Sequence, residues 1–142
     1  KFYKPKSENR FLYAGVLPKP YIFGWSKLPQ SGELVFITGG EKDVLALAAH
    51  GFCAIAFNSE TAKVPEDVMQ ELSFRFKKVV FLYDSDETGI QESQKRVNEY
   101  KDKYNVSRLQ LPLAGSKKEK DISDFFALGY SSEDFMKLLN EL

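Results

Sequence analysis

The chain has 142 residues, 43% of them hydrophobic and 28% charged, which fits one globular domain with its own core and excludes a wholly disordered segment. Its 20 Lys and Arg residues balance its 20 Asp and Glu residues, which excludes a general electrostatic attraction to nucleic acid and leaves only local basic clusters for such contacts. No apolar run reaches the roughly 18 residues of a membrane span, and Cys53 is the single cysteine, so we expect a cytoplasmic protein without membrane contact or internal disulfides.

The amino-terminal segment, residues 1–30, contains four of the six prolines and mixes basic with aromatic side chains. Because it also begins without a methionine, we expect an extension or linker within a longer protein, packed on the domain that follows. We expect that domain to cover residues 31–130 and a carboxyl-terminal helix to cover residues 131–142.

Two strand–turn–helix units are predicted next. Residues 34–38 form an apolar run rich in β-forming side chains and bounded by glycines, which is typical of a buried strand. Apolar residues then recur at helical spacing from Val44 until Gly51, a residue that can end a helix in the left-handed conformation. Residues 53–57 are the second apolar run, and Pro65 opens the second predicted helix.

The strongest strand prediction covers residues 78–83, and an acidic segment, residues 84–89, follows it directly. Residues 90–104 carry one apolar stripe on an otherwise charged sequence, which predicts a surface helix. A fourth strand is predicted at residues 107–111, and two short helices are predicted near the end of the chain.

Strands that alternate with helices predict an α/β fold, with a mainly parallel sheet of about four strands covered by helices on both faces. In such sheets, ligands bind outside the carboxyl ends of the strands. Gly39-Gly40, Asn58-Ser59 and the segment of residues 84–86 all follow predicted strands directly. The sequence therefore predicts that these three stretches meet in one crevice.

Asp84 and Asp86 are the strongest candidates for chemistry in that crevice. Two carboxylates spaced two residues apart after a buried strand can turn toward one ion, and hard oxygen ligands suit Mg²⁺ or Mn²⁺. Such a centre is typical of phosphoryl transfer on nucleotides. The alternative is structural: Asp86 would cap the following helix and Asp84 would accept bonds from turn amides.

The stretches at residues 34–47, 58–59 and 81–89, taken in order with Gly51 between the first two, resemble the successive motifs of the toprim domain. That family includes primases, primase-helicases, topoisomerases and some nucleases, and the pattern is most similar to the primase and primase-helicase branch. Residues 120–124 also resemble the lysine–aspartate segment of that branch, so the likeness extends to about residue 126. The resemblance implies a compact Rossmann-like fold.

The resemblance also implies an activity: Mg²⁺-dependent (or Mn²⁺-dependent) nucleotidyl transfer during primer synthesis in DNA replication, with Asp84 and Asp86 as metal ligands. The implied partners are a single-stranded DNA template and nucleotides. Helicase and zinc-binding regions would lie elsewhere on the same polypeptide.

One position departs from the family pattern, which has a glutamate directly before the glycine that opens the first helix. Here that position is Gly39, and the nearest acid is Glu41, which becomes the predicted third catalytic and metal-binding residue. Because a glutamate is missing, two alternatives stay open: a non-catalytic toprim module that binds nucleic acid or a partner, and a metal-dependent nuclease of the same fold.

Further candidate residues surround this predicted centre. Asp121 and Asp124 have the spacing of a helix-capping pair, and with Asp43 they are secondary acidic candidates. The predicted contacts to nucleotide or nucleic acid are the glycines, polar residues and lysines of the edge loops: Gly39, Gly40, Lys42, Asn58, Ser59, Lys117, Lys118 and Lys120.

Overall fold

The computed structural model describes residues 22–142, so most of the predicted amino-terminal extension lies outside the described part of the chain. A short 3-10 helix, Trp25–Lys27, comes first. The four strands are β1 (Gly32–Thr38), β2 (Ala54–Ala56), β3 (Phe76–Leu82) and β4 (Val106–Arg108). The five α-helices of the described residues are α1 (Glu41–Ala49), α2 (Glu66–Arg75), α3 (Glu87–Tyr100), α4 (Ile122–Ala127) and α5 (Ser132–Leu139).

The four strands form one sheet in the order β2-β1-β3-β4, and every neighbouring pair is parallel. This confirms the predicted α/β architecture. Thr38 at the end of β1 pairs with Ala56 of β2 and with Leu82 of β3, the last residues of their strands. The three strands therefore end in register, and the loops that follow them emerge side by side.

Helices cover both faces of the sheet. Successive apolar side chains of β1 and β3 point to opposite faces, and each face needs helices to bury it. Val35, Ile37 and Phe81 belong to one core, which is closed by α2 and by the end of α3. Phe36 and Val80 belong to the other, which is closed by α1, α4 and α5. All five of these strand residues are fully buried, as expected for strands with helices on both sides.

The amino-terminal residues that the structure describes lie against β2 and α2. Phe23 forms an isolated antiparallel bridge with Ala56, on the outer side of β2. The Arg75 guanidinium lies 5.5 Å from the centre of the Trp25 ring and donates to the carbonyl oxygens of Leu28 and Pro29.

Two predicted boundaries are shifted. The helix predicted at residues 90–104 begins at Glu87, because Asp86 caps it, and ends at Tyr100. The fourth strand, predicted at residues 107–111, is shorter and ends at Arg108. Within residues 22–142 there is no helix with the length and apolar character needed to cross a membrane.

Candidate functional site

Three loops meet at the carboxyl edge of the sheet, as the sequence predicted. They follow β1 at Gly39, β2 at Phe57 and β3 at Tyr83, and the in-register strand ends place them next to one another. A fourth segment, which connects β4 to α4, lies over the loop after β3. Its residue Lys120 accepts a backbone hydrogen bond of 2.5 Å from the Ser85 N–H.

The first acidic group at this edge consists of Glu60, Asp84 and Asp86. Each offers a carboxylate oxygen within 4.8 Å of the others, and all three side chains are half-buried. The Asp84 backbone N–H donates a hydrogen bond of 2.5 Å to Glu60 Oε2, which ties the loop after β2 to the loop after β3. The pair predicted from sequence is thus joined by a third carboxylate from a different loop.

Asp86 has the capping role that was the alternative to metal binding. Its Oδ1 accepts a hydrogen bond of 2.8 Å from the Gly89 N–H at the start of α3. A carboxylate has two oxygens with several acceptor positions, so one cap bond leaves capacity for a cation. The two interpretations of Asp86 are therefore compatible.

The second acidic group consists of Asp43, Asp84 and Asp121, so Asp84 belongs to both groups. Asp43 is buried in α1, and Ser123 Oγ donates a hydrogen bond of 3.1 Å to its Oδ1. Asp121 caps α4 and lies 3.4 Å from Lys42 Nζ. Lys120 Nζ lies near the third member, Asp84, so each carboxylate of this group already has a protein side chain as a neighbour.

Burial and mutual repulsion dominate the electrostatics of both groups. Burial raises the pKa of Asp43 to about 7, and the charge of Asp121 adds to the rise. Burial also raises the pKa of Glu60 to about 7, with Asp84 and Asp86 adding to it against the effect of the Asp84 N–H bond. The pKa of Asp84 is raised by burial and by Asp121, while nearby Lys120 opposes the rise.

The first group fits a divalent cation by its chemistry. It offers hard carboxylate oxygens, partly withdrawn from water and close enough to converge, which is the donor set that Mg²⁺ and Mn²⁺ prefer. Among residues 22–142, the lysine that pairs with this group is Lys120, whose Nζ lies 3.6 Å from Asp84 Oδ2. That single contact does not offset three carboxylates, so a bound cation would relieve their repulsion.

A model of the Toprim-like family matches residues 36–126, which is more than half of the chain. The chain belongs to the Toprim-like family. The match includes all the loops at the carboxyl edge of the sheet, from Gly39 to Asp124. No curated protein sequence matches the chain significantly.

Solved structures of bacteriophage T7 proteins share the toprim fold. One is described as the primase fragment of the bacteriophage T7 primase-helicase protein; its TM-score is 0.60 at 16% identity, and the match covers 88% of this chain and 51% of that chain. Another shows the T7 lagging-strand DNA polymerase interacting with primase domains of two gp4 subunits bound to an RNA/DNA hybrid and dTTP. Its TM-score is 0.58 at 18% identity, covering 93% of this chain and 65% of that chain. The toprim chain therefore spans between half and two thirds of these longer chains.

The loop that carries Asp84 and Asp86 in the toprim domain is fixed by its central residue. Ser85 is buried, and its Oγ donates a hydrogen bond of 3.2 Å to the carbonyl oxygen of Leu111. Gly115, at a φ of +84°, passes so close that a Cβ there would lie 2.9 Å from the Ser85 carbonyl oxygen. The two aspartates thus project from a backbone that is held on both sides.

The structure places the other predicted site residues at different distances from this centre. Glu41 is the first residue of α1 and belongs to neither acidic group of the described residues. Asn58 and Ser59 are exposed in the loop after β2, and Ser59 Oγ lies 2.8 Å from Thr61 Oγ1. Lys117 and Lys118 are exposed beside Lys120, whereas Asp124 completes the capping box of α4.

Glu60 is the residue that sequence reasoning missed. Asn58 and Ser59 were predicted at the site edge, but the acid that directly follows them was not singled out. The available signal was the combination of that acid with Gly39, a glycine at the position where the family pattern has a carboxylate. Their contact could be recognised only once the loops were placed together.

Proposed function

We propose that the chain is the toprim domain of a DNA primase or primase-helicase and carries Mg²⁺-dependent nucleotidyl transfer in primer synthesis. The observation that carries this proposal is the convergence of the Asp84 and Asp86 carboxylates with Glu60 at the carboxyl edge of the sheet. Membership of the Toprim-like family and the fold shared with T7 primase structures support the same assignment.

Asp84 and Asp86 would hold the Mg²⁺ or Mn²⁺ ion. When bound, that ion neutralises charge on the phosphates of an incoming nucleotide and orients them for attack by a primer hydroxyl. The buried Ser85 and the Asp86 cap hold the backbone between the two carboxylates, whose oxygens lie within 4.8 Å of each other, so little reorganisation would be needed when the nucleotide arrives. Lys120 lies beside Asp84 and adds positive charge at the phosphate side.

Exposed polar residues around the centre would contact nucleic acid. Lys117 and Lys118 are exposed next to Lys120, and they would bind the template backbone as point charges. Asn58 and Ser59 would reach the nucleotide from the loop after β2, and Lys42, Gly39 and Gly40 would border it at the start of α1. Because the chain has no net charge, these local contacts, rather than a general electrostatic attraction, would be responsible for binding nucleic acid.

The partners follow from this role. We propose single-stranded DNA and nucleotides as ligands, cytoplasmic localisation with the replicating DNA, and zinc-binding and helicase regions elsewhere on the polypeptide. The T7 primase domains that share the fold are bound to an RNA/DNA hybrid and dTTP, which supports nucleic-acid and nucleotide ligands for the shared scaffold.

Primer synthesis by the complete protein on single-stranded DNA tests the proposal. We expect Asp84→Asn and Asp86→Asn each to lower Mg²⁺-dependent synthesis by at least about 100-fold, because metal stabilisation of phosphoryl transfer is worth several kcal/mol. Asp102→Asn is the matched control, since it removes the same charge from an exposed position just after α3, at the opposite end of the sheet.

The proposal fails if both aspartate variants make primers at the wild-type rate. It also fails if the wild-type protein makes no primers yet binds single-stranded DNA, which would indicate a non-catalytic module. Metal-dependent nicking of plasmid DNA in place of primer synthesis would instead assign a nuclease.

A further inference from the structure

Position 39 has no room for a side chain, and this lack of space, not the backbone conformation, accounts for the glycine there. Gly39 is not among the described glycines with a positive φ. A Cβ at this position, however, would lie 2.6 Å from Glu60 Cγ, 2.7 Å from Glu60 Oε2 and 2.9 Å from Glu60 Cδ. The neighbouring Gly40 has no atom within 4 Å of such a Cβ. Side-chain space beside position 39 is therefore filled by Glu60.

Glu60 is fixed in this position by a contact that points it at the acidic centre. The Asp84 N–H donates to its Oε2, and a carboxylate oxygen of Glu60 lies within 4.8 Å of ligand atoms from both Asp84 and Asp86. Its side chain is half-buried, and no lysine or arginine of residues 22–142 forms an ion pair with it. Lys120 contacts Asp84 only, so Glu60 is a carboxylate beside two others with no ion pair of its own, an arrangement that is costly unless something else neutralises its charge.

We propose that Glu60 supplies the third carboxylate of the metal centre in this chain and that Gly39 is the complementary small residue that makes room for it. The inference rests on the proposed metal-binding function of Asp84 and Asp86. The glutamate that the family pattern has at position 39 is then relocated to the loop after β2 rather than lost. Glu60, and not Glu41, takes the third place, because Glu41 belongs to neither acidic group.

This assignment gives Glu60 two roles that can be separated. Its Oε2 accepts from the Asp84 N–H and so positions the loop after β3. A carboxylate accepts more than one bond, so Glu60 keeps acceptor positions with which it would ligate the cation. Glutamine in place of Glu60 keeps an acceptor for the Asp84 N–H but removes the charge, so Glu60→Gln isolates the metal-binding role.

Titration of the complete protein with Mn²⁺, followed by electron paramagnetic resonance of the free ion, measures the metal-binding role without reference to activity. We expect Glu60→Gln to weaken Mn²⁺ binding by at least about tenfold, the scale on which even supporting residues of metal sites act. Glu33→Gln is the matched control, because Glu33 is exposed at the opposite end of β1 and pairs with Lys77. Its affinity for Mn²⁺ should equal that of the wild type.

The space-sharing role is tested by a double-mutant cycle between positions 39 and 60. Gly39→Ala should displace Glu60 and weaken Mn²⁺ binding in the wild-type background, whereas it should have no further effect once Glu60→Ala has emptied the space. Thermal melts of each variant identify those that have lost the fold, and Mn²⁺ affinities are compared among the folded ones.

The outcomes separate this inference from the proposed function. Wild-type Mn²⁺ affinity in Glu60→Gln, together with lost affinity in Asp84→Asn, would overturn the role of Glu60 alone. Equal losses from Gly39→Ala in both backgrounds would overturn the shared-space argument. Wild-type affinity in Asp84→Asn as well would refute the metal centre itself, and the proposed function with it.

Discussion

Gly89, at the start of α3, provides the sharpest steric test of the acidic centre. A Cβ added there would lie 2.0 Å from the Asp84 carbonyl oxygen, 2.7 Å from the Asp84 carbonyl carbon and 2.9 Å from the Asp84 nitrogen. Ordinary Cβ contacts begin near 3.4 Å, so the backbone of Asp84 or the first turn of α3 must move by more than 1 Å. All three atoms belong to the backbone, so no side chain can turn aside to absorb the overlap.

Two terms set the expected size of the Gly89→Ala effect. Overpacking costs typically about 1–3 kcal/mol, and a clash with backbone belongs at the upper end of that range. Alanine recovers up to about 1 kcal/mol through its higher helix propensity. We therefore expect the free energy of unfolding to fall by about 2 kcal/mol and Tm to fall by roughly 5–10 °C.

The displaced backbone also carries a metal ligand, so Gly89→Ala should weaken Mn²⁺ binding by roughly tenfold, as loss of support around a metal site does. Calorimetric melts and Mn²⁺ titrations measure the two effects on the same samples. Thr88→Ala, at an exposed position in the same turn, is the matched control and should retain both stability and affinity. Wild-type Tm in Gly89→Ala would refute the reasoning, because it would mean that the overlap is relieved at no cost.

Three further predictions concern the rest of the domain. In EDTA, Asp43→Asn should have a higher free energy of unfolding than the wild type at pH 8, measured by urea denaturation. This difference should be smaller by about 2–3 kcal/mol at pH 5, because the raised Asp43 pKa of about 7 lowers the stability of the wild type progressively as the pH rises from 4 to 7. An equal difference at both pH values would contradict this. Phe135→Ala should lower the free energy of unfolding by about 3–5 kcal/mol, because its ring is fully buried between the sheet and α4, and a loss below 1 kcal/mol in chemical denaturation would exclude that packing. Ser131→Ala should remove the capping box of α5 and cost about 1 kcal/mol in the same assay, with no change in Mn²⁺ affinity.

The strands were predictable where burial on both faces left an uninterrupted apolar run. Residues 34–38 and 78–83 were predicted as strands and lie almost wholly within β1 and β3, whose central residues are fully buried. The fourth strand was predicted less well, because Leu109 and Leu111 are buried by the second core after the strand has ended, and apolar character alone does not distinguish the two situations.

The aspartates of the site were predictable because their position depends on local sequence. Asp84 and Asp86 directly follow a buried strand, and parallel strands place such residues at one edge. Glu60 depends on the loop after β2 folding back beside Gly39, a contact between residues 21 positions apart that no local pattern reports. Glu41 was chosen for its closeness in sequence to Gly39, and it is the first residue of α1; its role as a metal ligand stays a prediction.

The two outer strands of the sheet, β2 and β4, have only three residues each, and Phe23 already bridges the outer side of β2. Short or covered edge strands offer few unpaired backbone groups to a second chain, so they disfavour edge-to-edge association of copies of the domain. Neither outer strand therefore offers a long edge to which another chain could add a strand. Within residues 22–142, the exposed residues at the carboxyl edge of the sheet, such as Asn58 and Lys117, lie in loops instead.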